Sequence, residues 1–493
     1  MIRVHKWVPL GAIYVALKWT IRLVALVFVP RPPRLPSAAL GWLLLFALFP
    51  VPGLLLFLLV GSPKLSARRR RQQQFVDETV RRAVSRARED PTRGSFIAPE
   101  LPPRYASIAR LLEQLGGLPV FQGNRIELLP DYDYTAQRIV EDIERAKRYV
   151  HVEFFIFADD AIGGAVIDAL IRAHQRGVKV RVLIDHVGNF RFNKQVFARL
   201  RGAGVLVREI LPVRVFDNEW SRLDLRNHRK IVVVDGTSGF TGSQNLIERD
   251  YHKRSNIKQG LYYEELVARV TGPVVVQLGA AFAADWYSET GDVLEPQNYS
   301  ELVFEWQPTG DVLAQVLPSG PGEETENNWL MFNALFHQAQ RKIVIATPYF
   351  VPDVTMRTAI ATAARRGVDV TLIVSGIADQ FLVSRVQRSN YEELLAVGVK
   401  IRLFDPPVML HSKHITIDDD ICVIGSSNMD IRSFLLNLEI SLVIYDRLVV
   451  AALGEVDATY IARSRELTAE EWAQRSFAVR FVQNTSRLMS EFV

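Results

Sequence analysis

One cysteine, Cys422, stands in a chain of 493 residues. That excludes an intramolecular disulfide and a cysteine-built metal site. Cys422 lies in the apolar run Ile421-Cys422-Val423-Ile424 and reads as a buried structural thiol. No histidine and carboxylate spacing suits a metal ligand set, so neither a metal nor a cofactor is expected. Charge is missing altogether from Leu35 to Pro63. Over the whole chain, charged residues make up 23% against 48% hydrophobic. That composition is globular with a lean toward membrane contact, and it excludes a disordered chain.

Within the uncharged stretch, Ala38 to Val60 is almost wholly apolar. About 20 apolar residues cross a hydrocarbon core. The run reads as a transmembrane helix kinked near Pro50 and Pro52. It is too long, and begins too late, for a signal peptide. An earlier stretch, Trp7 to Val29, carries Lys18 and Arg22 on one helix face. A central lysine or arginine costs roughly 2.5–3.5 kcal/mol on insertion scales. This stretch therefore spans with its charges against a partner or lies in the interface. A hairpin with its tip at Arg31 to Ser37 is preferred, making 1–63 an N-terminal membrane region.

The net charge of +5 is unevenly spread. Lys64 to Arg110 holds 12 Lys/Arg against 5 Asp/Glu, a net +7. Because this segment directly follows the apolar run, anionic lipid is the expected partner and nucleic acid is not. Lys64 and Arg68 to Arg71 hold their flank in the cytoplasm. Thr79 to Arg88 reads as a basic helix, either a solvated linker or a headgroup contact. Residues 64–120 form a basic, membrane-proximal region.

From about Arg125 the chain repeats itself. Tyr149–Phe157, a helical stretch Gly163–Gln175, Arg176-Gly177-Val178 and the β-rich Lys179–Ile184 form one series. Lys342–Phe350, Val354–Arg365, Arg366-Gly367-Val368 and Asp369–Val374 form the second. Alternating strands and helices imply an α/β fold with right-handed crossovers and a largely parallel mixed sheet in each half. The halves are assigned to 121–310 and 311–493, with a shared interface as the place for a site.

Each half carries the same pattern, H-x-K-x4-D-x6-G-S-x-N. The first is His228, Lys230, Asp235, Gly242, Ser243 and Asn245; the second is His411, Lys413, Asp418, Gly425, Ser426 and Asn428. His and Lys two apart on an extended segment face the same way. Two facing halves then supply two imidazoles and two ammoniums to one spot. The Gly-Ser-x-Asn turns bring hydroxyls and amides there (Ser243, Asn245, Ser426, Asn428), a setting for an anionic tetrahedral group. Such a site performs phosphodiester transfer. One neutral imidazole attacks phosphorus, and the other protonates the leaving alkoxide and then deprotonates the incoming alcohol. A nucleophilic imidazole needs its second nitrogen fixed by an acceptor. Glu439, in the otherwise uncharged run Leu438–Ile444, is the candidate in the second half, and Glu265, before Leu266-Val267-Ala268 and beside Glu264, occupies the similar place in the first. Asp235 and Asp418 complete the motifs and read as turn-bonding structural groups. His151, His186, His337 and His414 read as packing or surface groups.

The duplicated H-x-K-x4-D pattern resembles that of the phospholipase D superfamily. Arg226-Asn227-His228-Arg229-Lys230 with Gly239-Phe240-Thr241-Gly242 resembles the bacterial cardiolipin synthase version. So do Thr347-Pro348-Tyr349-Phe350-Val351-Pro352 and Asn428-Met429-Asp430-Ile431-Arg432-Ser433-Phe434 running on to Asn437 and Glu439. The resemblance covers roughly Ala38 to Val493. It implies two duplicated phospholipase D-like lobes anchored in a bacterial inner membrane, with the lobes cytoplasmic. It also implies a reaction: one phosphatidylglycerol is cleaved to a phosphatidyl-histidine with loss of glycerol, and a second attacks to give cardiolipin. Analogy within the superfamily makes His228 the nucleophile and His411 the acid/base. One departure is Gly242-Ser243, where many such synthases carry Gly-Gly. The competing readings are a phospholipase D-type hydrolase, with water resolving the intermediate, and a nuclease of the same superfamily, which the apolar anchor disfavours. A decayed, purely membrane-binding protein is disfavoured by two intact motifs. The sequence allows an oligomer.

Overall fold

Prolines decide the shape of the apolar N-terminal region. In a computed structural model of the chain, residues 10–31, 36–61, 65, 67–91, 94–213, 224–294, 307–321, 326–377 and 380–488 are described. Two compact units result, Met1–Lys64 with Arg222–Asp224, and Leu65–Ser221 with Leu225–Val493. In the first unit, helix Leu10–Phe28 has 19 residues, about 28 Å at 1.5 Å per residue. Among the described residues, its Gly11–Phe28 portion is the one stretch both long and apolar enough by itself to cross a bilayer. The 38–60 run divides into helices Pro36–Leu48 and Pro50–Val60. The break falls at Phe49 because a residue before proline is driven from helical geometry, while Pro50 suits the first helical turn. Pro50 and Pro52 lack the N–H groups that the Phe46 and Leu48 carbonyls would use. Between those carbonyls, the Ala47 oxygen accepts from Arg22 Nη2 at 2.7 Å. The arginine inside the first apolar stretch therefore meets an acceptor on the second, and Ile21, Ala25, Val29, Ala39 and Phe46 bury one another beside it. The hairpin tip lies largely, and Lys64 wholly, outside the described residues.

Helix Ala67–Arg88 in the second unit is longer than the 79–88 stretch read from the sequence. Arg69 is buried in it and forms a bidentate pair with Glu289. Part of the basic cluster thus anchors the helix instead of facing solvent.

The repeats share one 16-stranded sheet. In the first, Tyr149–Phe154, Lys179–Asp185 and Leu206–Ile210 run parallel. Lys342–Ala346, Asp369–Ser375 and Lys400–Phe404 do so in the second. The crossover helices Ala161–Gln175 and Val354–Arg365 are capped alike, by Asp160 and Asp353. The inner strands of both repeats are antiparallel, because short hairpins such as Ile231–Val234 to Ser238–Gly242 reverse the chain. Phe121–Leu129 and Val312–Ser319 pair antiparallel and join the halves. Ile231, Val233 and Val270 of the first repeat pack in one cluster with Cys422, Ile424 and Leu442 of the second. Helix-covered cores flank this shared layer, one per repeat.

Candidate active site

Strands Ile231–Val234 and His414–Ile417 are fully buried, mostly β-branched runs, and each motif's His and Lys sit at or just before their starts. Ile231 is opposite Glu153, and His414 is opposite Ala346. Each motif therefore lies at the C-terminal end of its own repeat's parallel strands. Short ladders then tie each motif to the other repeat. Arg226–Asn227 pairs with Asn437–Leu438, and the His228 N–H donates to the Leu438 oxygen at 2.8 Å. Val408–Leu410 pairs with Tyr262–Glu264, and the His411 N–H donates to the Glu264 oxygen at 2.8 Å.

The same crossing governs the side chains. His228 Nδ1 lies 3.1 Å from both carboxylate oxygens of Glu439 and 2.9 Å from the Ser426 carbonyl. His411 Nδ1 lies 2.7 Å from Glu265 Oε1. Each repeat's carboxylate serves the other repeat's imidazole. Both glutamates are buried, while the imidazoles keep 9% and 8% exposure. With Nδ1 held, His228 presents Nε2 to a substrate, and the Nε2 of His411 faces Lys413 Nζ at 3.3 Å.

Electrostatics follow from that burial. Burial lowers His228, with Glu439 opposing and Lys230 and Lys413 adding. Burial lowers His411 to about 4 against the pull of Glu265, with Lys413 and Lys230 adding. The ammonium of each motif thus acts on the imidazole of the other, which places all four groups around one centre. Burial carries Lys230 down to about 7; Glu439 opposes that shift and Lys413 adds to it. For Glu265 burial works upward, but His411, Lys413 and the Ser243 hydroxyl bring the carboxyl to about 2. For Glu439 burial also works upward, and His228, Lys230 and Ser426 outweigh it. The resting centre holds ionised carboxylates and neutral imidazoles.

The sequence assigns Ser243 and Ser426 to phosphate; the structure commits their hydroxyls elsewhere. Ser426 Oγ donates to Glu439 and accepts from the Ile440 N–H at 3.0 Å. Ser243 Oγ accepts from the Leu266 N–H at 2.9 Å. The glycines before them explain why: a Cβ on Gly242 or Gly425 would meet the Leu266 or Ile440 oxygen at 2.3 or 2.4 Å. Each turn is pressed onto the segment that bears a glutamate: Ser426 bonds Glu439 itself, while Ser243 also donates to the Leu266 carbonyl at 3.2 Å, one residue from Glu265. Asn245 is engaged as well, accepting from the Ile156 N–H at 3.1 Å and donating to the Tyr251 hydroxyl at 3.1 Å. Asn428 differs, since its buried Oδ1 has no hydrogen-bond partner among the described residues. Asp235 and Asp418 stand away from the centre, about 16 Å along the strand from each lysine at 3.3 Å per residue. Asp235 accepts from the N–H groups of Lys147, Arg148 and Tyr149. Asp418 accepts from those of Gln340, Arg341 and Lys342.

Several contributors escape the sequence reading. Tyr251 donates its hydroxyl to Glu265 Oε1 at 2.7 Å. Phe155 packs edge-on against His228 at 5.1 Å, and Tyr263 against His411 at 5.1 Å. Arg229 reaches under the centre, donating Nε–H to the Glu439 carbonyl at 3.0 Å and pairing with Asp285. In the second motif Ser412, His414 and Asp457 form a buried chain, with contacts of 2.7 and 2.8 Å. Only the tertiary fold marks these residues. Glu248, Asp250 and His252 bring ligand-type atoms within 4.8 Å of one another, yet His252 is already paired with Asp160 at 2.9 Å.

A duplicated mixed sheet with two histidines and two lysines from opposed repeats defines the phospholipase D-like class. The family described as "Cardiolipin synthase, PLD-like domain" matches residues 139–286 and 332–458, one stretch in each repeat. A cardiolipin synthase A from Pectobacterium carotovorum is 34% identical over 91% of this chain and 92% of that protein. One from Yersinia pseudotuberculosis is 35% identical over 90% of each. The phosphatidylserine synthase structure from Haemophilus influenzae shares the fold, with a TM-score of 0.59 and 18% identity over 79% of this chain and 100% of that one. The chain belongs to the cardiolipin synthase family.

Proposed function

We propose that this protein joins two phosphatidylglycerol molecules into cardiolipin and glycerol. His228 Nε2 attacks the phosphorus of the first lipid, forming a P–N bond. The P–O bond to glycerol breaks, and His411 supplies the proton that the glycerol oxygen takes. Substrate charge makes this feasible: an anionic phosphodiester raises the neighbouring imidazole and lysine pKa values, so His411 becomes protonated when the site fills. The terminal hydroxyl of the second lipid then gives its proton back to His411 and attacks phosphorus, and the P–N bond breaks. Lys230 and Lys413 face the non-bridging oxygens, with Asn428 as a further polar group.

The crossed His–Glu pairs carry this reading, because they give two buried imidazoles whose Nδ1 is fixed by a carboxylate, with Lys413 Nζ 3.3 Å from Nε2 of His411. Their slight exposure favours a lipid alcohol over water in the second step. The apolar N-terminal hairpin holds the protein in the membrane, and the basic residues after Val60 keep the lobes cytoplasmic. The test uses purified full-length protein with headgroup-labelled phosphatidylglycerol. Labelled glycerol, labelled cardiolipin and an acid-labile phosphatidyl adduct located on His228 by mass spectrometry are expected. Phosphatidic acid as sole lipid product would make the protein a hydrolase, and an adduct on His411 would reverse the two roles.

A further inference from the structure

The site accounts for no large apolar side chain on the surface around it, yet several are there. In each repeat the motif lies at the C-terminal end of the parallel strands, so the segments leaving those ends flank the centre. After Lys179–Asp185 comes Phe190, 73% exposed; after Asp369–Ser375 comes Phe381, 70% exposed. The segment after the same strand of each repeat thus projects a phenylalanine into solvent. In the second repeat the patch is larger. Phe381 opens helix Phe381–Ser389, which packs on the C-terminal helix Phe477–Arg487. That helix exposes Phe477 and Phe481 by 83% and 60%, their rings 6.3 Å apart. Single exposed apolar residues are ordinary, but adjacent ones mark a contact surface: Phe477 stacks beside Phe481, and Phe381 lines a groove with Val479 and Val482 of the same helix. At the strand ends away from the site, Leu206 and Leu448 stand singly.

The charge around the patch identifies its partner. Arg385 stacks over the Phe381 ring at 3.6 Å, and Arg388 and Arg480 are exposed nearby on the same two helices. Aromatic anchors beside arginines on an amphipathic helix suit the headgroup–acyl boundary of an anionic bilayer. The patch is also wired to the centre. The Phe350 N–H donates to Gln387 Oε1, on the Phe381–Ser389 helix, at 3.0 Å. Phe350 pairs with Met429, the residue after Asn428 of the second motif.

We propose that this surface, Phe381, Phe477 and Phe481 with Arg385, Arg388 and Arg480, docks the second repeat on an anionic bilayer beside the site, separately from the N-terminal helices. Phe190 is its counterpart in the first repeat. The inference deepens the proposed function, since docking there would let a lipid phosphate reach the imidazoles while its acyl chains stay in the membrane.

Two measurements on the full-length chain test it. The native Cys422 is fully buried, so a thiol dye reports only an introduced cysteine. Bimane is placed on Phe381→Cys, Phe481→Cys or the control Gln175→Cys, which is exposed at the far end of its helix. In phosphatidylglycerol nanodiscs containing nitroxide-labelled lipid, the first two are expected to be quenched and blue-shifted, and the control is not. Equal quenching at all three positions, or none at 381 and 481, overturns the proposal. The second measurement takes the exposed pair Phe477→Ser/Phe481→Ser. Turnover should fall roughly tenfold on bilayer phosphatidylglycerol, the scale of a lost interfacial anchor, and stay unchanged on a dispersed short-chain phosphatidylglycerol. Unchanged turnover on both, or equal loss on both, overturns the proposal. The quenching needs no turnover, so a wild-type protein that makes no cardiolipin would sink the proposed reaction and leave the docking surface to be decided by fluorescence alone.

Discussion

Replacing Glu439 by glutamine keeps the shape of the centre and removes one charge. Glu439 is fully buried and meets His228 Nδ1 at 3.1 Å. A hydrogen bond to a charged group contributes about 1.5–3 kcal/mol, so kcat should fall about 10–150-fold if that bond is at full strength only when the imidazole gains positive character. The loss should fall on adduct formation alone. A phosphatidyl-p-nitrophenol substrate isolates this step, because p-nitrophenolate departs without a proton donor. In a single turnover, Glu439→Gln should slow the nitrophenolate burst by that factor. Glu265→Gln, which loosens His411, should leave the burst near wild type and slow the following transfer. A second consequence concerns Lys230. Its pKa of about 7 is already depressed by burial, and Glu439 is the foremost group opposing that. Without the carboxylate, Lys230 loses its proton at lower pH. The alkaline limb of kcat/KM, set by the charged lysine in the free enzyme, should therefore move toward acid. A normal burst in Glu439→Gln with a slow one in Glu265→Gln would refute the crossed assignment; an unmoved limb would refute the lysine argument.

Three further outcomes are expected. At pH 8 the resting site lacks protons on Lys230 (about 7) and His411 (about 4), so binding a phosphonate analogue of phosphatidylglycerol should take up protons; calorimetry in buffers of different ionisation enthalpy should read uptake, and net release would contradict it. Ser412→Ala breaks the buried Ser412–His414–Asp457 chain and leaves His414 Nδ1 unsatisfied. It should lower stability by about 1–3 kcal/mol, seen as a lower thermal midpoint with the pH profile of kcat/KM unchanged. Asp235→Ala orphans three backbone N–H groups at a turn held at φ 54°, so it too should lower the midpoint without moving the alkaline limb, whereas a shifted limb would place Asp235 in the electrostatics of the centre.

Much of this protein is legible in one dimension because its information is local. The β-branched runs, the strand–helix alternation and the matching motifs fix the duplicated α/β fold, since period-two burial and turn chemistry depend on near neighbours. The two-histidine chemistry follows from residue types and spacing. An isolated carboxylate in an uncharged strand also marks Glu439 as paired, because burying a lone charge is unfavourable, and Glu265 follows from its similar place in the first half, beside Glu264. Tertiary structure alone decides which imidazole each glutamate meets. Their pairing crosses repeats between residues 211 and 146 positions apart, a register no local pattern encodes. The same holds for Tyr251 on Glu265, for Arg69 drawn from the basic cluster to Glu289, and for the serines, whose hydroxyls went to Glu439 and to the Leu266 backbone once two glycines let the chains approach. The sequence set what each segment would be, and packing between distant segments decided which groups would face one another.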